Sequence, residues 1–247
     1  MNNSFNSLTN PIIVKAYEGM DNYIIEKVSD SKVAVIYCSS NGIYYPNEYD
    51  IFKRYMYDGN KFEWIKRDWK IINSGLNIYI RDVYKQWYLK GINKKVNNID
   101  KLVEFIKEQT IGYEIVTIGS SSGAYIATLL GCKLNAKYVL NFAGQFDLSL
   151  QHNKNLFVHN YIENDNIYTN LKSLVESSNT DIFYFVGAYS EVDEKDLEIA
   201  KSINKNLYLM LFNQKIHGIP FDTSVLEKLI NMNEMYFLNY IIDINII

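Results

Sequence analysis

The sequence predicts an α/β chain with a mostly parallel central sheet and helices on both faces. Three observations predict it. Short apolar runs of strand length alternate with stretches of helical period, the βα rhythm of parallel sheets. Residues 33–37 are continuously apolar, the mark of a strand buried on both faces. The chain has 247 residues, 48% of them hydrophobic and 21% charged, which suits a folded rather than a disordered protein. Right-handed crossovers then distribute the helices over both sides of the sheet. The length fits one α/β domain over residues 1–247 with little or no cap.

The elements follow in order. Residues 12–17 and 23–28 read as two early strands around the turn Glu18-Gly19-Met20-Asp21. Residues 33–37 and 77–80 are short buried strands. Asn98 precedes a segment with apolar residues at helical spacing and reads as its N-cap. Residues 114–118 are a strand, 123–132 a helix and 136–142 a strand. Residues 171–177 read as helix, 182–186 as strand and 193–203 as helix, before a last strand at 207–212 and a last helix near 223–238. Residues 45–74 and 153–170 are irregular and read as surface connections, with a small cap over a site as the alternative for either. The apolar residues 241–247 are too short to span a bilayer and read as a packed terminal element.

Composition excludes several classes. A net charge of −3 lacks the basic footprint of a nucleic-acid binder. Two cysteines, Cys38 and Cys132, make neither a disulfide framework nor a metal-ligand pattern, so no cofactor or metal is expected. Cys38, at a strand end, reads as a small buried apolar residue. No targeting segment or membrane span is read, which makes the cytoplasm the expected compartment.

The strongest chemical signal is Gly119-Ser120-Ser121-Ser122-Gly123, directly after a strand and opening a helix. This is the G-x-S-x-G elbow in the strand–turn–helix setting it requires. The turn is sharp, so the central Ser121 projects its hydroxyl above the sheet. The flanking glycines remove Cβ atoms that would collide there. The helix N-terminus below favours developing negative charge. Such an elbow needs an acid and then a histidine further along the chain. Of the three histidines, His217 follows the last strand, whereas His152 and His159 sit in polar irregular sequence and read as solvent-facing. Asp193 is the expected acid, ending the loop after residues 182–186, with Glu191 as the alternative. Glu194 and Asp196 read as solvent-facing.

The oxyanion donors are expected from the N–H of Ser122 and from the loop Cys38-Ser39-Ser40-Asn41-Gly42, where Ser40 is favoured over Ser39 or Asn41. Arg81, at the end of residues 77–80, is expected at the rim of the site, binding an anionic part of a substrate; an ion pair with Asp82 or a loop brace is the competing reading. Gln145 and Asp147 are expected at the same rim.

With these residues in place, the chain resembles the α/β-hydrolase superfamily over nearly its whole length. The stretches 38–46, 80–88 and 144–148, reading CSSNGIYYP, IRDVYKQWY and GQFDL, resemble more narrowly small hydrolase-like proteins associated with bacterial surface-polysaccharide biosynthesis. The resemblance implies a serine esterase or deacylase acting on an acyl group of a glycan or sugar conjugate, with the 38–42 loop departing from the His-Gly pair usual there. The alternatives are an acyltransferase of the same mechanism and a hydrolase fold serving as a non-catalytic binding module in a polysaccharide assembly complex, against which the intact set of Ser121, Asp193 and His217 argues. Oligomeric state is not set by the sequence.

Overall fold

The computed structural model describes residues 8–65, 69–149 and 168–231. The chain opens on a helix, α1 (Pro11–Gly19), where a strand was expected over residues 12–17. Local chemistry decides this. Pro11 occupies the first turn, where its missing N–H costs nothing, and the Asn10 side chain accepts the Ile12 N–H at 3.2 Å. Ile12, Ile13, Ala16 and Tyr17 then form one buried helical face.

The strands are β1 (Tyr23–Lys27), β2 (Val33–Cys38), β3 (Leu76–Ile80), β4 (Glu114–Ser120), β5 (Tyr138–Phe142), β6 (Asp181–Gly187) and β7 (Leu207–Phe212). They form one sheet in the order β1-β3-β2-β4-β5-β6-β7. Only β1 is antiparallel, paired to β3 with Tyr23 opposite Ile80. All other pairs are parallel, including Cys38 opposite Gly119 on β2 and β4. The longer helices between strands are α3 (Ile99–Gln109), α4 (Ser122–Leu134) and α6 (Glu194–Lys201), joined by α2 (Tyr49–Phe52), α5 (Lys172–Ser177) and α7 (Thr223–Ile230). Asn98 caps α3 by accepting the Lys101 N–H at 2.9 Å, as expected. The part of the expected last helix beyond residue 231, the apolar residues 241–247, and most of the irregular 153–170 segment with His152 and His159 lie outside the described residues.

The sheet divides two cores. One face packs Ile36, Ile78, Tyr125, Leu129 and Tyr184 under α3 and α4. The other packs Tyr37, Tyr79, Ile118, Phe142 and Phe185 against Trp64 and α7. Helix α4 is buried on nearly every side, which accounts for its almost uninterrupted small and apolar sequence. The irregular 45–74 stretch is no surface connection: Phe52, Met56, Phe62 and Trp64 are buried, so its aromatic residues hold it down where periodicity gave no sign of it. No helix among the described residues is long and apolar enough to cross a membrane.

Candidate active site

The carboxyl ends of the central strands converge where β4 passes into α4. Ser121 stands at that passage with φ 53° and ψ −125°, a conformation costly for a residue with a Cβ. The surroundings impose it. The Ser121 N–H donates to Phe142 O at 2.8 Å, and Ser121 O accepts the N–H of Ala124 at 2.9 Å and of Tyr125 at 3.1 Å. The two flanking glycines are sterically required. A Cβ on Gly119 would lie 2.2 Å from Gly123 O, and one on Gly123 would lie 2.3 Å from Cys38 O. Backbone atoms cannot yield that much, so both positions exclude any larger residue.

His217, in the loop after β7, places Nε2 2.8 Å from Ser121 Oγ and Nδ1 2.6 Å from Asp193 Oδ1. Asp193 is 1% exposed, and its second oxygen accepts the Ser190 hydroxyl at 2.5 Å. It immediately precedes α6 yet makes no side-chain cap bond there, because both oxygens face the histidine and Ser190. Glu191 is exposed and apart from this chain of bonds. Ser121 and His217 are themselves partly exposed, so the reacting end of the chain is open and its acidic end is sealed.

Asp196, expected in solvent, is buried and accepts the N–H of Phe146 at 2.7 Å and, more distantly, of Asp147. Burial pushes its carboxyl up to about 6, against those two N–H bonds, with Asp193 and Asp147 nearby adding to the rise. Glu194 is exposed as expected. Gln145 is buried and accepts the Trp87 Nε1–H at 2.9 Å, while Asp147 is braced by Asn170 at 3.0 Å.

The oxyanion donors divide. Ser122 opens α4, where a helix leaves its first N–H groups without carbonyl partners, and its hydroxyl accepts the Asn41 N–H at 2.8 Å. Ser40 is beside it but its N–H is engaged: it donates to Glu63 Oε2 at 2.5 Å, and the Ser40 hydroxyl donates to Glu63 Oε1 at 3.1 Å. The Ser39 N–H goes to Ile80 O at 3.0 Å. Every backbone donor of the Ser39-Ser40-Asn41 loop is therefore occupied, which corrects the expectation of a free Ser40 donor. Glu63 itself gave no signal in the sequence, because it lies 23 residues from Ser40 in a segment without period.

Arg81 is a second correction. It is fully buried, not at the rim. Its Nε donates to Asn22 Oδ1 at 3.0 Å and an Nη to Lys61 O at 2.8 Å, and its guanidinium lies 4.5 Å from the centre of the Phe62 ring. Burial lowers its pKa to about 10. With a further Nη contact to Met20 Sδ at 3.7 Å, those donors brace the chain from a fully buried position. Asp82 takes the competing role too, but toward backbone: its carboxylate accepts the N–H groups of Tyr84, Gln86 and Tyr88 at 2.6–2.9 Å. It thereby holds Lys85, Trp87 and Tyr88, all at positive φ, in a tight loop at the end of β3.

No protein-family model and no curated protein matches this sequence. Solved structures do match in shape. A protein of unknown function from Staphylococcus aureus subsp. aureus Mu50 superposes with a TM-score of 0.56 at 13% identity, covering 90% of this chain and 94% of its own. The capsule O-acetyltransferase of Neisseria meningitidis serogroup A gives 0.56 at 16% identity, over 89% and 90%. A mutant of that enzyme in complex with CoA gives 0.53 at 14% identity, over 90% and 92%. At these identities the likeness is one of fold. The sheet order, the single antiparallel edge strand and the strand–turn–helix at Ser121 define that fold: the chain has the α/β-hydrolase fold.

Proposed function

We propose that this protein is a serine-dependent acyl-ester hydrolase or acyltransferase, with Ser121 as nucleophile, His217 as general base and Asp193 as the acid that orients it. One observation carries the reading: a continuous hydrogen-bonded chain that starts at the strained elbow with Ser121 Oγ and runs through His217 to the buried Asp193. In this reaction Ser121 Oγ attacks the acyl carbonyl carbon while its proton passes to His217 Nε2. Asp193 holds the imidazole tautomer and stabilises the imidazolium. The tetrahedral intermediate collapses, the alcohol leaves with the proton from His217, and an acyl-serine remains. Water, or a sugar hydroxyl in the transferase form, gives its proton to His217 and attacks the acyl-serine, releasing acid or a new ester. The helix N-terminus and the Ser122 N–H stabilise the oxyanion in both halves.

The substrate class we favour is an acylated glycan or sugar conjugate. The stretches resembling polysaccharide-associated hydrolases support it, as does the fold shared with a capsule O-acetyltransferase. A mutant of that enzyme has been solved with CoA, which keeps the transferase form in view. A fluorophosphonate probe tests the chemistry. The folded protein is expected to be labelled on Ser121, and Ser121→Ala to abolish labelling with an unchanged melting temperature. Labelling on Ser120 or Ser122 would move the nucleophile, and no labelling would favour the binding-module reading. Acetate release from a panel of acetylated sugars, with and without acetyl-CoA and acceptor, then separates hydrolysis from transfer.

A further inference from the structure

Ser40 is the loop residue expected to supply the second oxyanion donor, yet a carboxylate is already bound to it. Glu63 meets the loop with its whole length: Oε2 accepts the Ser40 N–H at 2.5 Å, Oε1 accepts the Ser40 hydroxyl at 3.1 Å, and the Glu63 N–H donates to Ser39 Oγ at 3.4 Å. A negative charge on this N–H opposes the reaction twice. It occupies the donor, and it repels the oxyanion that would form beside it.

The segment carrying Glu63 is anchored on both sides. Ahead of it, Arg81 donates to Lys61 O at 2.8 Å and packs over Phe62. Behind it, the buried Trp64 donates its Nε1–H to Cys38 O at 2.9 Å. The backbone is anchored on both sides of Glu63, so its side chain is the group that would have to move to free the Ser40 N–H. Burial also raises the Glu63 pKa against the Ser40 bonds and the nearby Lys61, so the bound carboxylate is held under an electrostatic penalty.

We infer that Glu63 is a gate on the oxyanion site: in the resting enzyme its carboxylate occupies the Ser40 N–H, and an acyl carbonyl must displace it to complete the pair of donors with Ser122. This rests on the serine-acyl reading above. It makes Glu63 a positioning residue that acts through Ser40, and it gives Arg81 a purpose that the substrate-binding expectation missed.

The test compares wild type, Glu63→Ala and Glu63→Gln by two rates: inactivation by a small neutral fluorophosphonate and kcat/KM on a neutral acetyl ester. Glu63→Ala should raise both by about ten-fold, since no charge-assisted bond has to be broken. Glu63→Gln keeps a neutral acceptor on the N–H and should give a smaller rise, about three-fold. Melting temperatures check that both variants fold, and a structural brace could lower stability but would not raise either rate. Unchanged or lower rates in the folded variants, with wild type labelled normally, overturn the gate alone. Failure of wild type to be labelled at all overturns the serine-acyl reading and the gate together.

Discussion

Exchanging one carboxylate for an amide separates two acidic residues that lie two positions apart. At Asp193 the oxygen facing His217 Nδ1 is a hydrogen-bond acceptor at 2.6 Å, sealed from water. Asparagine there presents either a weaker acceptor or an N–H against the ring, and so favours the wrong tautomer. Under the proposed mechanism, Asp193→Asn lowers kcat by roughly 10⁴. Glu191→Asn, at an exposed position, leaves kcat within about two-fold, as expected of a surface change. Both are read in one ester assay; comparable losses from the two would return the acid to an open question between them. Arg81 makes the opposite kind of prediction. Its side chain is fully buried and satisfies Asn22 and Lys61 O, so Arg81→Met strands one buried and one part-buried acceptor and costs about 2–4 kcal/mol in denaturant unfolding. KM for charged and neutral esters should shift alike. A selective rise for charged substrates would restore Arg81 to the binding site.

At the scale of elements, the elbow is the clearest case of sequence dictating backbone. Gly119 and Gly123 each face a carbonyl oxygen at a distance no Cβ tolerates, so the β4–α4 junction and the β2 end must separate if either is replaced. Gly123→Ala should destabilise by more than about 2 kcal/mol and remove probe labelling even in the fraction that stays folded, because Ser121 loses its register with His217. Normal labelling of a stable Gly123→Ala would mean the junction is softer than its geometry. These glycines were legible because a local motif fixes them, and His217 was legible because three histidines left little choice. What escaped was of another kind. The short apolar run over residues 12–17 fits a buried strand as well as a helix, and only the Asn10 cap with Pro11 decides between them. Glu63 and the burial of Arg81 depend on long-range packing of the irregular 45–74 stretch, which has neither period nor motif. Asp82 shows the same limit: its three backbone bonds to the loop that follows are invisible in a dipeptide that reads as an ion pair.

Across the whole molecule, the sheet places its reactive groups beyond the carboxyl ends of β4, β6 and β7 and buries ionisable side chains beside them. Asp82 and Asp196 brace loops at the carboxyl ends of β3 and β5, and burial raises each to about 6 from an ordinary value of 3.8. A raised carboxyl pKa has a definite sign. Between pH 4 and 6 the folded chain keeps protons that the unfolded chain has released, so the folded state binds more protons and stability falls as pH rises through that window. Above about pH 6.5 the contribution is flat. A shift of two units corresponds to about 3 kcal/mol for each group. Asp196 is the cleaner test, because asparagine keeps the acceptor toward the Phe146 N–H while removing the titration. The groups that face it are Asp193 and Asp147, both carboxylates, so no neighbouring cation reverses the sign. Denaturant unfolding of wild type and Asp196→Asn should therefore give a stability difference, wild type minus variant, that declines between pH 4 and 6 and levels off beyond. A difference that rises over the same window would mean that the Phe146 and Asp147 N–H groups outweigh burial and hold Asp196 as a stabilised anion.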